Sequence, residues 1–393
     1  HRNMYPPIRY AVTKIAPTGK PRKVVIISTS PPRPCGIAMF TKNLVNGMLL
    51  NPGMIVEVIA LTKDVDHYKY PKEVTRTIRQ NIFNDYLDAA EYINESDFDA
   101  VYLQHEFGIF GPRPCGGYVI CLARYIKPPL FTTVHTVLTR LSDQEGSIIQ
   151  LLHLLSTRMV VMTTLSKKML EGTFFVSERV VVIPHGAPDV HLQTHIKTKV
   201  REQMNWNGRL VVIANGLIHR GKGYEYMIQA LPGLVKLFPN ILFCVVGQPH
   251  PNSPDTTIYF NEITMLAKEL GVQAAMRFLP MFFSFDELER LLVAADIFIA
   301  PYTDDSVSSS GTLTMAMAAG LPCVATPFVF SKIVFIQNRG IMIKFNDRLS
   351  IERVISTLAL NSTVRQTIGQ KAWRYMQNNT WQRVGLAYLN EIE

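Results

Sequence analysis

The chain has 393 residues, of which 47% are hydrophobic, 10% aromatic and only 18% charged. At about 150 residues per domain, it is long enough for two or three domains with cores of their own, and its apolar content excludes a disordered chain. The net charge is +9, and no uninterrupted apolar run reaches the ~18 residues of a transmembrane helix, the strongest, Leu291 to Pro301, being cut by Asp296.

Six cations, Arg2, Arg9, Lys14, Lys20, Arg22 and Lys23, fall in the first 23 residues with no acid among them. Residues 1–23 read as a basic leader, suited to peripheral contact with anionic lipid headgroups or simply to solvation. No zinc finger, aromatic RNA-binding signature or basic recognition helix accompanies it, so nucleic acid is not an expected partner. Five scattered cysteines without a C-x-x-C pair point to a reducing, cytoplasmic compartment. His191 and His195 stand four apart without the glutamate of a zinc protease helix, and no metal site is expected.

From Val24 onward, short β-branched runs alternate with longer helical patterns. The runs are Val24–Ser28, Ile55–Leu61, Ala100–Gln104, Leu130–Val134, Met159–Thr163 and Val180–Ile183, and then Leu210–Ala214, Ile241–Val246, Met276–Leu279, Ile297–Ala300, Cys323–Ala325 and Ile341–Lys344. Nearly continuous apolar runs mark strands buried on both faces, as in a parallel sheet. Helices are predicted at Ala38–Leu49, Tyr224–Leu237, Ile258–Leu270 and Phe285–Ala294. The restart near residue 205 predicts an α/β chain of two Rossmann-like, doubly wound parallel-sheet domains facing a cleft, over residues 24–195 and 205–372, with terminal helices over 373–393 crossing back to the first. Open sheets of this kind bind ligands beyond the carboxyl ends of their strands.

The residues after each strand are therefore the candidates. Gly36 begins a helix after the first strand, where bare backbone can approach a phosphate or sugar. Gln104-His105-Glu106-Phe107-Gly108 follows the third, His135-Thr136 the fourth, and Pro184-His185-Gly186 the sixth. In the second half, Gly216-Leu217-Ile218-His219-Arg220-Gly221-Lys222-Gly223 is a glycine-bearing loop with two cations leading into a helix, an arrangement that holds a diphosphate. It fits neither the Walker A nor the G-x-G-x-x-G spacing. The loop from Tyr302 to Leu313, ending in Ser308-Ser309-Ser310-Gly311-Thr312-Leu313, offers hydroxyls and free N–H groups at another helix start, which suits an anion and equally a plain helix cap.

Taken together, C-G-I-A-x-F, Q-H-E-F-G-I-F-G, V-H-T, V-I-P-H-G, G-x-x-x-x-x-K-G and S-S-G-T-L before A-x-A-A-G-x-P resemble, in this order, the GT-B glycosyltransferases, and more closely family 4, the retaining, nucleotide-sugar-dependent enzymes. The resemblance implies that Lys222 binds the donor diphosphate, with Gly216 and Arg220 in its loop, and that Gly36 lies near the donor phosphates and acceptor. It implies that His135 contacts the transferred sugar, that Glu106 meets the acceptor, and that Ser310, Gly311, Thr312 and Leu313 hold the distal phosphate and sugar. Gly247 and the stretch Pro280–Met281 would line the base. The implied reaction moves a hexose to a glycan or lipid-linked acceptor, with no cofactor beyond the donor itself. Its leaving diphosphate takes the acceptor proton, so the protein's task is positioning and charge stabilisation.

The chain departs from that pattern in places. Val307 and Met315 stand where the family has two glutamates, and Leu217 where an arginine usually follows the loop glycine, leaving Arg220 as its replacement. Two other readings stay open: a phosphorylase of the same fold using a sugar 1-phosphate, and a catalytically degenerate binding or scaffold protein. Asp64-Val65-Asp66 also matches the short D-x-D motif of metal-dependent GT-A enzymes, against which the two matched halves argue.

Overall fold

A computed structural model of the chain describes residues 22–33, 35–63, 68–112, 114–137, 141–174, 179–191, 194–249, 254–279 and 285–392. The basic leader up to residue 21 and Asp64-Val65-Asp66 lie outside the described residues. The chain divides into two compact units, one running to Gly186 and completed by Asn379–Glu393, the other spanning Ala187–Asn378.

The first unit runs β1 (Arg22–Ser28), α1 (Gly36–Leu49), β2 (Met54–Thr62), β3 (Val74–Arg79), α2 (Phe83–Glu95), β4 (Ala100–His105), α3 (Tyr118–Tyr125), β5 (Leu130–Val134), α4 (Asp143–Leu155), β6 (Arg158–Val161), α5 (Thr164–Phe174) and β7 (Val180–Val182). Its seven strands are parallel, in the order β3-β2-β1-β4-β5-β6-β7. The second unit runs α6 (Thr194–Gln203), β8 (Leu210–Asn215), α7 (Tyr224–Leu237), β9 (Ile241–Val246), α8 (Pro254–Glu269), β10 (Met276–Leu279), α9 (Phe285–Ala294), β11 (Ile297–Ala300), α10 (Gly311–Ala318), β12 (Cys323–Ala325), α11 (Val329–Val334), β13 (Ile341–Met342), α12 (Arg348–Leu360) and α13 (Ser362–Gln377). Its six strands are parallel too, in the order β10-β9-β8-β11-β12-β13. The last helix, α14 (Trp381–Asn390), belongs to the first unit.

The strand pattern has the predicted cause. In β1, Val25 and Ile27 pack into one apolar cluster and Val24 and Ile26 into another on the opposite face. In β8, Val211 and Ile213 face one cluster, Val212 and Ala214 the other. Alternate side chains of a strand point to opposite faces, so helices on both sides demand apolar residues at every position. The strand β3 escaped the sequence reading because it is an edge, Val-Thr-Arg-Thr-Ile-Arg, with only Ile78 fully buried.

The unit boundaries differ from the predicted ones at both ends of the second unit. Ala187 and Val190 join the same core cluster as Ala372 and Met376, and Trp373 Nε1 donates to Val190 O at 2.8 Å. Residues from Ala187, together with the whole of α13, therefore belong to the second unit. Only α14 covers α1, where a Cβ on Gly47 would come within 2.1 Å of Trp381 O. Val384, Tyr388 and Leu389 complete that face, each buried side chain contributing about 1.5–3 kcal/mol. No helix among the described residues is long and apolar enough to cross a membrane.

Each sheet changes its direction of growth once, between β1 and β4 and between β8 and β11. Those two reversals are where an open α/β sheet leaves a crevice at its strand ends.

Candidate functional site

In the first unit the reversal is flanked by the loops after β1 and β4. Gly36 opens α1, and a Cβ there would meet nothing within 4 Å, so the helix start has open space beside it. Cys35 caps this helix: its Sγ accepts from Ala38 N at 3.3 Å and lies 3.0 Å from Thr29 Oγ1. Arg33, in the same loop, donates to Leu61 O and to Gln80 Oε1, each at 3.2 Å. Gln80 Nε2 in turn donates to Gly108 O at 3.1 Å, which ties the β1 loop to the loop after β4.

Gln104 and His105 end β4, both buried and facing opposite sides of the sheet. Gln104 Oε1 lies 2.8 Å from His135 Nε2. With the amide oxygen accepting, Nε2 carries the ring proton and Nδ1 keeps a free lone pair. Burial, with His185 and His105 adding to it, holds His135 down at about 3, so its ring is neutral at physiological pH. Glu106 accepts from Phe107 N at 2.9 Å through one oxygen and from the Thr136 hydroxyl through the other. Its carboxylate is thus fixed by its own loop and the end of β5.

Phe40 of α1 meets His135, His185 and Trp381 edge-on, with centroids 4.7, 5.4 and 5.0 Å away. His185 Nδ1 bonds Gly186 O at 2.7 Å, and burial takes its pKa to about 4. A Cβ on Gly186 would sit 2.3 Å from the Trp381 ring, so α14 closes directly on this histidine turn. The side-chain nitrogens Gln104 Nε2 and His105 Nε2 are buried without a hydrogen-bond partner among the described residues. Native proteins leave few such groups.

In the second unit the corresponding loops converge on one cationic cluster. Gly216, after β8, has a φ of +119°, and a Cβ on it would meet Thr312 Cγ2 at 3.2 Å and Lys222 Nζ at 3.3 Å. Lys222 Nζ donates to Tyr302 Oη at 3.0 Å. That phenol oxygen lies 2.7 Å from Thr312 Oγ1 and 3.4 Å from Ser310 Oγ. Ser310 is the cap of α10, its Oγ accepting from Leu313 N at 3.2 Å. Burial pushes the Tyr302 phenol up, but the Lys222 charge and the bonds from Lys222, Ser310 and Thr312 outweigh it and hold the net pKa below the ordinary tyrosine value. The loops after β8 and β11 thus bring together an ammonium, two hydroxyls, a phenol and a helix start, chemistry that suits an anion.

Gly247, after β9, has a φ of +145° and backs directly onto Gly216, whose carbonyl oxygen would be 1.9 Å from a Cβ there. Gly311 is the first residue of α10 and Leu313 is fully buried in its core. Arg220 does not join the cluster: it forms an exposed ion pair with Glu262 at 2.7 Å on the side of α8. Met281, with Pro280, lies outside the described residues. Val307 packs against the core and Met315 is 8% exposed within it, so both positions of the missing acids are absorbed into apolar packing. Sequence reading placed Tyr302 and Gln104 in candidate stretches but gave neither a role. Their signal was position alone: Gln104 just inside the end of a strand, Tyr302 just beyond one.

Residues 208–361 match the family model described as glycosyl transferases group 1. Spore coat protein SA of Bacillus subtilis (strain 168) is 23% identical over 204 residues, which cover 50% of this chain and 52% of that protein. The D-inositol 3-phosphate glycosyltransferase of Salinispora arenicola is 28% identical over 180 residues, 44% of this chain and 38% of the other. The chain spans about half the length of the curated relatives it matches, or less. Anabaena HepE in complex with UDP superposes with a TM-score of 0.75 at 15% identity, over 94% of this chain and 98% of that one. The same protein with UDP-glucose gives 0.73 at 14%, over 93% and 99%. The architecture of two parallel-sheet α/β domains is that of the GT-B glycosyltransferase structures.

Proposed function

We propose that the chain is a retaining glycosyltransferase of the family 4 type, moving a hexose from a nucleotide sugar to a glycan or lipid-linked acceptor. The observation that carries this reading is the cluster of Lys222, Tyr302, Ser310 and Thr312 around Gly216, which lies within the stretch matching the family model. A diphosphate fits it by charge and by hydrogen bonding. The two HepE complexes support a uridine diphosphate donor, and the five free cysteines fit a reducing compartment.

In this reaction the bond from the anomeric carbon to the diphosphate oxygen breaks while a bond to the acceptor hydroxyl forms on the same face. The acceptor proton passes to the departing phosphate oxygen, so no protein base and no metal is required. Lys222 and the start of α10 stabilise the charge growing on the leaving group, and removing such a donor costs roughly 10²–10³ in rate. His135, neutral and held by Gln104, presents Nδ1 to a sugar hydroxyl, and Glu106 orients the acceptor.

The test is a thermal-shift and calorimetric panel of UDP, GDP, ADP, their hexose conjugates and hexose 1-phosphates, with wild type and Lys222→Ala, in EDTA and in Mg²⁺. Ligand at ~100 times its Kd adds about 2.7 kcal/mol, worth several degrees. A nucleotide sugar that stabilises wild type but not Lys222→Ala, in EDTA as well as Mg²⁺, is the expected result. Response to sugar phosphates alone would replace the reading with a phosphorylase, and silence across the panel with a non-catalytic homologue.

A further inference from the structure

Arg33 is only 9% exposed, yet its guanidinium is bonded to two neutral acceptors, Leu61 O and Gln80 Oε1. No carboxylate among the described residues pairs with it. Arg201, comparably buried in the second unit, shows the usual solution: it pairs with Asp296 at 3.1 Å. A buried cation without a counter-charge is costly unless something supplies that charge. Two of the five guanidinium N–H donors are used, leaving a fork for a planar or tetrahedral anion.

The setting favours such an anion. Arg33 lies at the carboxyl end of β1, beside the sheet reversal and three residues before Gly36, where α1 begins with no acid in its first turn. The sequence holds no Asp or Glu before Glu57, and Asp64 and Asp66, which follow β2, lie outside the described residues. The buried imidazoles at the neighbouring strand ends contribute no positive charge, His105 and His135 lying near 3 and His185 near 4. Gln80 holds the guanidinium in place, since Gln80 itself is fixed by Gly108 O and by the Tyr86 hydroxyl on its carbonyl.

We infer that Arg33 anchors an anionic group of the acceptor, a phosphate monoester or a carboxylate, beside the start of α1. The inference rests on the transferase reading, in which the first unit takes the acceptor, and it narrows the acceptor class from any glycan to a charged one.

The test uses the full chain saturated with UDP, so that the Lys222 cluster is filled, and follows the thermal midpoint against inorganic phosphate with chloride at matched ionic strength. A saturable rise in wild type that Arg33→Gln loses, and that Arg33→Lys shows only at about tenfold higher phosphate, is expected, because an ammonium lacks the fork. Gln80→Leu, which removes one of the two acceptors that hold the guanidinium, should weaken the rise without abolishing it. A wild-type midpoint that phosphate moves no more than chloride, or Arg33 variants that respond like wild type, would overturn the inference. Glucose 6-phosphate, glucuronate and neutral glucose then separate the two sources: only the charged sugars are expected to compete, and the stronger one names the group. If UDP itself does not bind, the donor reading fails, while the same phosphate titration in a Lys222→Met background, without UDP, still tests Arg33.

Discussion

Lys222 Nζ lies 3.0 Å from the phenol oxygen of Tyr302 and 4.3 Å from the centre of the same ring, so one side chain holds the ammonium both by its hydroxyl and by its face. Tyr302 is itself clamped, stacked on Phe328 at 4.9 Å and with its carbonyl accepting from Thr326 Oγ1 at 2.6 Å. The lysine is thereby fixed beside the α10 start rather than free to sweep solvent. Tyr302→Phe keeps the ring and removes the hydroxyl, a loss of about 1 kcal/mol, and should weaken UDP binding several-fold in calorimetry.

The same tyrosine gives a pH signature. Its pKa is lowered, whereas burial raises those of Tyr102, Tyr224, Tyr259 and Tyr388. A group whose folded value lies below its unfolded one contributes stability that is full above the unfolded value, near pH 10, and is lost as the pH falls through the folded value. Near-ultraviolet absorbance in an alkaline titration should show an early tyrosinate step that Tyr302→Phe abolishes. An unchanged titration curve would mean that the Lys222 contact does not govern this phenol.

The acid side is set by the first unit. His105, His135 and His185 are held near 3, 3 and 4, chiefly by burial. As the pH falls below about 6.5 the unfolded chain takes up protons that the folded one refuses, so each ring removes about 1.4 kcal/mol of stability per pH unit until its folded value is reached. His105 is the test case, because its ring packs against Phe107 and Phe110 and its Nε2 is buried without a partner among the described residues. His105→Leu should flatten the fall of the urea midpoint between neutral pH and pH ~4.5 while costing little at neutral pH.

Much of this was legible in the sequence, and what was not has physical reasons. Strands buried on both faces announce themselves as unbroken apolar runs, so β1, β4, β8 and β9 were found nearly to the residue. An edge strand with one buried side, β3, does not. Lys222, Gly216 and the Ser310 cap could be read from glycine placement and from hydroxyls before a small-residue helix. The contacts of Tyr302 and Gln104 could not, since each reaches a partner distant in sequence, Lys222 at 80 residues and His135 at 31. Arg220 looked like the charge substitute for Leu217, but Glu262 on α8 captures it.

Restoring an acid should fail for a packing reason. Met315 is 8% exposed inside a cluster containing Leu313, Phe328 and Phe330. Met315→Glu would bury a carboxylate with no cation provided for it, at a cost of about 3–5 kcal/mol. Val307, only partly buried against that cluster, should tolerate glutamate with a smaller loss. Chemical denaturation of the two variants gives the order, and a Met315→Glu chain as stable as wild type would show that this core opens to a carboxylate without penalty.

Two of the positive-φ glycines of the second unit, Gly216 and Gly247, should separate stability from binding. At Gly247 a Cβ would fall 1.9 Å from Gly216 O, a backbone atom that cannot yield without parting the loops after β8 and β9. At Gly216 the obstacles are side-chain ends, Thr312 Cγ2 at 3.2 Å and Lys222 Nζ at 3.3 Å, which yield by moving away. Both variants pay for the positive φ, about 1–3 kcal/mol. Gly247→Ala adds a clash and should be the less stable of the two in urea. Gly216→Ala displaces the ammonium and should lose UDP affinity out of proportion to its stability, by about tenfold or more if one charged hydrogen bond is broken. Equal losses of affinity in the two variants would mean that the β8 loop shapes the fold without shaping the anion site.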